Sequence, residues 1–513
     1  MRSESSKTVS VWMATTELPE TPPLSANLET DVCVVGSGIA GLTTAYLLVR
    51  EGRGVAVLER ANLGGGETSR TTAHLAFVID DGFQEIERLH GKEFLRLHVQ
   101  SHQAAIERIE QIVRDEQIDC DFRRLDGYLF APDEKGAEYI QKEFEAAQRA
   151  GIKDVQHLER LPLPFRTGPV LRFPGQAQLH SLKYLAGLIR ALERDGAAIF
   201  SHTTVESTDD GKPVRVHTQE GYTVECSAAV IATNSPTNDL LAIHSKQAPY
   251  RTYAIGARIH TGSVPAALYW DTEDPYHYVR LQPEGDHDVL IAGGEDHKTG
   301  QGDPNTSFGK LEKWTRDRFG VVTSIEYRWS GQVMEPADGV AFIGRNPGNE
   351  HIYIATGDSG MGMTHGTIAG MLLTDLIQGR KNPWVEVYDP SRKTLGSTVE
   401  YVKENLNVAK KYAEWLTGGD VKSLEQIPPG EGRVIRAGAS KLAVYRDNAG
   451  ALHACSAVCT HLGCLVAWNP LEKSWDCPCH GSRFDAEGRV LNGPAVRNLE
   501  PASLDEIAEK PAA

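Results

Sequence analysis

Two short segments near the C-terminus set sulfur and imidazole ligands side by side. Cys459-Thr-His461-Leu-Gly-Cys464 and Cys477-Pro-Cys479-His480-Gly-Ser482 are separated by twelve residues, and each offers one cysteine and one histidine beside a further cysteine. Two thiolates can grip one iron and two neutral imidazoles a second, which makes an electron carrier with unlike ends. The alternative is a single zinc held by two cysteines and two histidines. Zinc sites commonly pair like ligands two to about five residues apart, whereas each segment here mixes the two types, and six metal-competent residues exceed four positions. Of the eight cysteines, Cys455, Cys459, Cys464, Cys477 and Cys479 crowd together while Cys33, Cys120 and Cys226 are scattered. The crowding points to metal chemistry before a disulfide scaffold, and the scattered thiols are expected as small core residues.

From about Val421 to about Leu504, through the Gly493-Pro494-Ala495 turn, the chain resembles the Rieske 2Fe-2S family. The resemblance implies Cys459, Cys477, His461 and His480 as cluster ligands and a Cys464–Cys479 disulfide between the two loops. It also implies a Ser482 hydroxyl that donates to a cluster sulfur. Phe484 stands where high-potential members carry tyrosine, which implies an intermediate potential below that of the respiratory-chain members.

A second constellation lies near the N-terminus. Asp31-Val-Cys-Val-Val-Gly36 is an apolar run leading into Gly36-Ser37-Gly38-Ile-Ala40-Gly41, a helical pattern over Leu42 to Arg50, and then Val55-Ala-Val-Leu-Glu59-Arg60. A strand, a tight glycine turn and a helix N-terminus bring backbone amides to a pyrophosphate, and an acid ending the second strand accepts from ribose hydroxyls. Val32 to Val49 is uncharged and about long enough to cross a bilayer, but its glycines favour a buried strand, turn and helix.

Two further segments separate a flavin from a nicotinamide. Gly64-Gly-Gly66, with Ser69-Arg70-Thr71-Thr72, resembles the flavin loop of the D-amino-acid oxidase superfamily, and Ile352-Tyr-Ile-Ala-Thr-Gly357-Asp358-Ser-Gly360-Met361-Gly362 resembles its closing flavin motif. A helix starting near Gly362 would aim its positive end at the flavin pyrimidine edge. Cys226 to Asn234, with Ala232 and Thr233, is similar to the strand passing under the dinucleotide, and Val205 to the position packing on adenine, after a helix expected over Leu182 to Asp195. The resemblance runs from about Asp31 to Arg380 and implies FAD. Only one glycine fingerprint is present, where pyridine-nucleotide flavoenzymes usually carry two. His74 is similar in position to the histidine bearing covalent flavin in dimethylglycine-type dehydrogenases; the motifs match in part, and noncovalent binding is the alternative.

Substrate would lie over the flavin ring, with Tyr253, Tyr278, Arg280, Arg328 and His365 as candidate lining residues. Aromatics alternating with arginine on a strand equally describe one packed and one solvated face, so no general base is assigned. The implied reaction is hydride transfer from a carbon beside nitrogen, or less readily oxygen, in an amine or amino-acid-like substrate. A cluster then takes electrons singly and hands them to a soluble acceptor. An NAD(P)H-dependent reductase and a nonenzymatic redox sensor are the rival readings, and no two-histidine, one-carboxylate iron site of a ring hydroxylase is apparent.

These motifs need several cores to hold them, which 513 residues can supply. The expected architecture is an α/β, Rossmann-like FAD domain over 28–74, 180–240 and 337–394, interrupted by an antiparallel-sheet substrate domain over 75–179 and 241–336. A helical linker, 395–420, carrying Lys403, Lys410 and Lys411 on polar positions, leads to a small all-β Rieske domain over 421–507. Strands are expected at Tyr276 to Leu281, Val289 to Glu295 and Tyr327 to Gln332. The formal charge of −16 disfavours nucleic acid and anionic membranes as partners. Met1 to Leu24 has no apolar core behind a basic start and contains Glu4, Glu17 and Glu20, so a cytoplasmic protein is expected.

Overall fold

The computed structural model describes residues 8–161, 163, 165–237, 243–393, 397–413, 415, 418–438 and 440–504. The ends of the expected linker and Rieske domain at 395–396, 416–417 and 505–507 fall outside the described residues.

The uncharged stretch after Asp31 divides as its glycines dictate, into the strand Val32–Val35 and the helix Ile39–Arg50. That strand is central in a six-stranded sheet, flanked in parallel by Val55–Leu58 and Ala228–Ile231, with Ala198–Phe200, Ile352–Thr356 and Phe342–Arg345 outside them. All four residues of Val32–Val35 are buried, and burying each of its valines contributes roughly 1.5–3 kcal/mol. The helices Ile39–Arg50 and Gly362–Ile377 pack face to face over this sheet. They approach closely because Gly366 and Gly370 face Ile39 and Thr43, where an added Cβ would come within 2.6 Å of a side-chain methyl.

The larger sheet has nine strands and is antiparallel except where Leu268–Asp271 runs parallel to Arg123–Phe130. The expected strand pair is the hairpin His277–Glu284 with His287–Lys298, in which Tyr278 stands opposite Gly293. Ser324–Pro336 contains the third expected strand and pairs along Gln247–His260. Two helices from the first interrupting segment, Phe83–His90 and Lys92–Asp115, close one end, and the second of them packs on Gly362–Ile377.

A short N-terminal helix, Val11–Thr15, has no counterpart in the sequence reading. Ser10 caps it, and Trp12 is fully buried with its indole N–H donated to the Thr71 carbonyl. The C-terminal unit is two small antiparallel sheets, one of three strands (Glu431–Ala437, Ser440–Arg446, Leu452–Ser456) and one of four (Ala467–Asn469, Ser474–Asp476, Arg483–Asp485, Val490–Asn492). No helix among the described residues is long and apolar enough to cross a membrane.

Candidate functional site: two cofactor cradles sharing a wall

A cavity of about 530 Å³ opens above the C-terminal ends of the parallel strands. One end is the glycine turn. Gly36 adopts φ +105°, and a Cβ there would lie 2.5 Å from the Ala232 carbonyl oxygen, so only glycine lets the neighbouring strand ends come this close. Glu59 accepts from the Ser37 amide at 3.0 Å and its hydroxyl at 2.8 Å, which fixes the acid at the rim. Gly36, Ser37, Gly38, Ala40, Glu59, Arg60, Gly66, Arg70, Thr71, His74, Val205, Ala232, Thr233, Asp358, Gly360, Met361 and Gly362 all stand on the wall. Gly41, Ser69 and Gly357 stand behind it. Gly41 packs on the Gly36 carbonyl, and the Ser69 hydroxyl donates to the Gly66 carbonyl to hold the loop. A concave, amide-lined turn under a helix N-terminus suits a dinucleotide pyrophosphate, so the residues present fit FAD.

The other end of the cavity is aromatic and acidic. Tyr278 lies on the wall, with its hydroxyl 2.9 Å from Thr252 Oγ1 and its ring edge-on to His74. His365 is also on the wall, and its Nδ1–H is donated to the Asp358 carbonyl at 2.9 Å. The other three lining candidates are placed elsewhere. Tyr253 is buried in the core of the large sheet, bonded to His297. Arg280 is fully buried and donates to the carbonyls of Thr72, Ala73 and Leu179, so it holds the flavin loop from behind. Arg328 pairs with Glu312 on the outer face.

Sequence reasoning missed Asp80 and Tyr276, which join this wall. The Tyr276 hydroxyl donates to Asp80 at 3.4 Å. Asp80 is exposed where it opens onto the cavity, and the cavity walls enclose that opening. Burial, reinforced by the charges of Asp81, Asp296 and Asp358, pushes its carboxyl up to about 8. Burial likewise raises Asp296 to about 7 and Asp358 to about 6. The available signal was the pair Asp80-Asp81 directly after the apolar run Ala76 to Ile79, acids at the end of a buried segment.

In the C-terminal unit the two ligand loops meet. Cys464 and Cys479 form a disulfide with Cα atoms 6.4 Å apart, which removes both sulfurs from a metal-ligand role. Cys459 and Cys477 are buried free thiols in direct contact. The rings of His461 and His480 lie 5.0 Å apart, and both nitrogens of His461 and Nδ1 of His480 are buried without a partner. Two adjacent thiols facing orphaned imidazole nitrogens fit a 2Fe-2S cluster held by two sulfurs and two nitrogens. The Ser482 hydroxyl hydrogen-bonds to the Cys459 sulfur and accepts from the Ala495 amide at 3.0 Å. Phe484 is fully buried beside this group.

The two cradles adjoin. Leu491, Asn492, Gly493 and Val496 of the C-terminal unit form part of the wall of the first cavity. Arg60 donates to the Leu491 carbonyl, and Asn492 donates to Glu67 at 3.0 Å. From the other side, the ring of His244 sits 4.8 Å from that of His461 and 5.7 Å from that of His480, so the imidazole end of the second cradle faces the flavin-type body. The helix Thr398–Ala413 ties the units together. Its Glu404 pairs with Lys298 at 2.6 Å, while the Tyr412 hydroxyl donates to the Leu462 carbonyl of the first ligand loop at 2.6 Å.

Comparison with known proteins agrees with this division. Residues 31–376 match the family model described as FAD dependent oxidoreductase, and residues 418–503 match the Rieske [2Fe-2S] domain. A Bacillus subtilis (strain 168) protein named "Putative Rieske 2Fe-2S iron-sulfur protein YhfW" is 33% identical over 499 residues, covering 96% of this chain and 97% of that one. The gamma-glutamylputrescine oxidoreductase of Escherichia coli (strain K12) is 27% identical over 374 residues, 69% of this chain and 85% of the other. Among solved structures, glycine oxidase from Geobacillus kaustophilus superposes with a TM-score of 0.60 at 19% identity, over 72% of this chain and all of that one.

Proposed function

Because the chain belongs to the FAD dependent oxidoreductase family and carries a Rieske [2Fe-2S] domain behind that fold, we propose that it is a dehydrogenase of amines. In this role it removes hydride from a carbon beside nitrogen and sends the electrons through its own cluster domain to an external acceptor. FAD supplies a two-electron acceptor that can release electrons one at a time, and the cluster supplies a one-electron carrier. The shared wall carries this function: Leu491 to Gly493 and Val496 border the same cavity as the glycine turn, so electrons need not leave the chain between the two cofactors. Gly36 to Ala40 and the N-terminus of Gly362–Ile377 would hold the dinucleotide. Cys459, Cys477, His461 and His480 would hold the cluster, with Ser482 tuning it. His244 stands edge-on to the two imidazoles from the body side.

The charge of the cavity favours an amine over an α-amino acid. A carboxylate beside the reacting carbon calls for a guanidinium at the aromatic end, and Arg280 and Arg328 both point elsewhere. Asp80, with Tyr276 and Tyr278 beside it, instead offers an anion to a protonated amine, in line with the relative named for gamma-glutamylputrescine. Anaerobic mixing with a panel of amines, amino acids and NADH, following flavin and cluster absorbance separately, tests the whole scheme. Amines should bleach the flavin first and the cluster after it. Bleaching by NADH alone, or by no amine, would overturn it.

Asp80 also sets a pH dependence. Its raised carboxyl is neutral below about 8 and charged above, so kcat/KM for a cationic amine should rise with pH up to about 8 as the free enzyme ionises. Asp80→Asn should raise KM and flatten that limb, leaving the smaller contributions of Asp81, Asp296 and Asp358. A pH profile unchanged in the variant would remove Asp80 from amine binding.

A further inference from the structure

Three histidines converge at the interface of two helices, one of them, His365, where that interface borders the flavin-type cavity. His98 and His102 stand one turn apart on Lys92–Asp115, and His365 lies in the first turn of Gly362–Ile377. One ring nitrogen from each falls within 4.8 Å of the others. We propose that His98, His102 and His365 form a binding site for a divalent transition-metal ion of the zinc class, distinct from the cluster.

The hydrogen bonds around the three rings fix which atoms face inward. His365 donates Nδ1–H to the Asp358 carbonyl, so its Nε2 carries a lone pair. The Thr364 hydroxyl gives its hydrogen to the Met361 carbonyl at 3.1 Å and must therefore accept from His102 Nδ1 at 2.8 Å. The Nε2 of His102 is then a lone pair too. Both of these nitrogens and both nitrogens of His98 are buried without a partner. Two lone pairs and a third imidazole facing one another between buried helices call for a bridging partner.

A proton does not resolve the clash. Burial first, then the neighbouring imidazoles, keeps His98 and His102 well below the ordinary histidine range, and burial lowers His365 to about 4. The neutral imidazole is the form that binds metal without releasing a proton.

The surroundings match those of a metal ligand set. A ligating histidine characteristically donates its other N–H to a carbonyl or similar acceptor, as His365 and His102 do here. Three histidines leave one of four tetrahedral positions for water. At Zn–N distances of about 2.0–2.1 Å the nitrogens would stand about 3.4 Å apart, so binding would draw the three rings together from their present spacing. Asp81, Glu335 and Asp358 meet on the turn before Gly362–Ile377, held by Ser359 and the Met334 amide.

Elemental analysis of the full holoprotein, dialysed against zinc and then against buffer, provides the test, with iron and flavin measured in the same samples. About one zinc per chain should be retained beside the two irons of a 2Fe-2S cluster, and zinc-edge X-ray absorption should show nitrogen and oxygen neighbours without sulfur. His98→Gln with His102→Gln should lower retained zinc more than tenfold at unchanged iron, and Thr364→Val should weaken zinc affinity by roughly 10- to 100-fold. No retained zinc in the parent protein, or a sulfur-bound zinc, would overturn the site whatever the variants do. Zinc kept at parent level by the double variant would overturn it equally. Iron and flavin content report separately on the cofactor assignments.

Discussion

Replacing Glu472 with alanine should destabilise the docking of the cluster unit by about 3–5 kcal/mol, the usual cost of removing one partner from a buried ion pair. Glu472 lies between two strands of the C-terminal unit and is fully buried against the flavin-type body. Its carboxylate faces Arg251 at 3.5 Å and Arg70 at 3.8 Å, and the Ser330 hydroxyl donates to it. Arg251 is itself fully buried with Nε and Nη1 already unpartnered, so it has no route to water once the carboxylate is gone. Arg483 keeps Asp476 at 3.0 Å, which confines the damage to the interface. Urea unfolding followed at the cluster absorbance should show the midpoint falling sharply in Glu472→Ala and less in Glu472→Gln. An unmoved midpoint would refute the assignment.

The same carboxylate gives the interface a pH dependence of defined sign. Burial acts to raise Glu472, but Arg70, Arg251 and Arg483 together hold it below the ordinary carboxyl range. A depressed carboxyl contributes stability that is complete above the unfolded value of about 4.3 and is lost as pH falls from there through the folded value. Docking should therefore be unaffected at neutral pH and weaken only in acid.

Residues that act as neighbours in the chain were legible, and residues that meet only in space were not. The glycine turn, Glu59, the closing motif and the two ligand loops each sit inside one short segment whose spacing alone states the chemistry. Arg280 and Arg328 show where that stops. Strand alternation says that both point off the pleat, but whether a face meets a cavity or three carbonyls depends on segments far along the chain. Glu472 had no local pattern at all, since its partners Arg70 and Arg251 come from another unit. His98 and His102 were readable as one helix face, yet nothing nearby announced His365 as their third member. Val11–Thr15 was missed because five residues are too few for a helical period, and its stability comes from Trp12 seated against the flavin loop.

Gly36→Ala should strip the flavin while leaving the cluster in place. The position has φ +105°, outside what an alanine adopts without strain of about 1–3 kcal/mol. The added methyl would also stand 2.5 Å from the Ala232 carbonyl oxygen and 3.0 Å from its carbon. Both are backbone atoms following the central strand Ala228–Ile231, which is hydrogen-bonded on each side and cannot retreat alone. The turn must open instead, and that moves the amides meant for the pyrophosphate. Strain alone weakens flavin binding roughly tenfold to a hundredfold, and displacement of the amides adds to it. Gly309→Ala is the control: it lies inside the helix Pro304–Arg318, away from the cavity, and an added Cβ there meets nothing within 4 Å. After gel filtration the Gly36 variant should be nearly free of flavin at full iron content, with the Gly309 variant close to the parent protein. Equal flavin content in both would mean that the pyrophosphate does not rest on this turn.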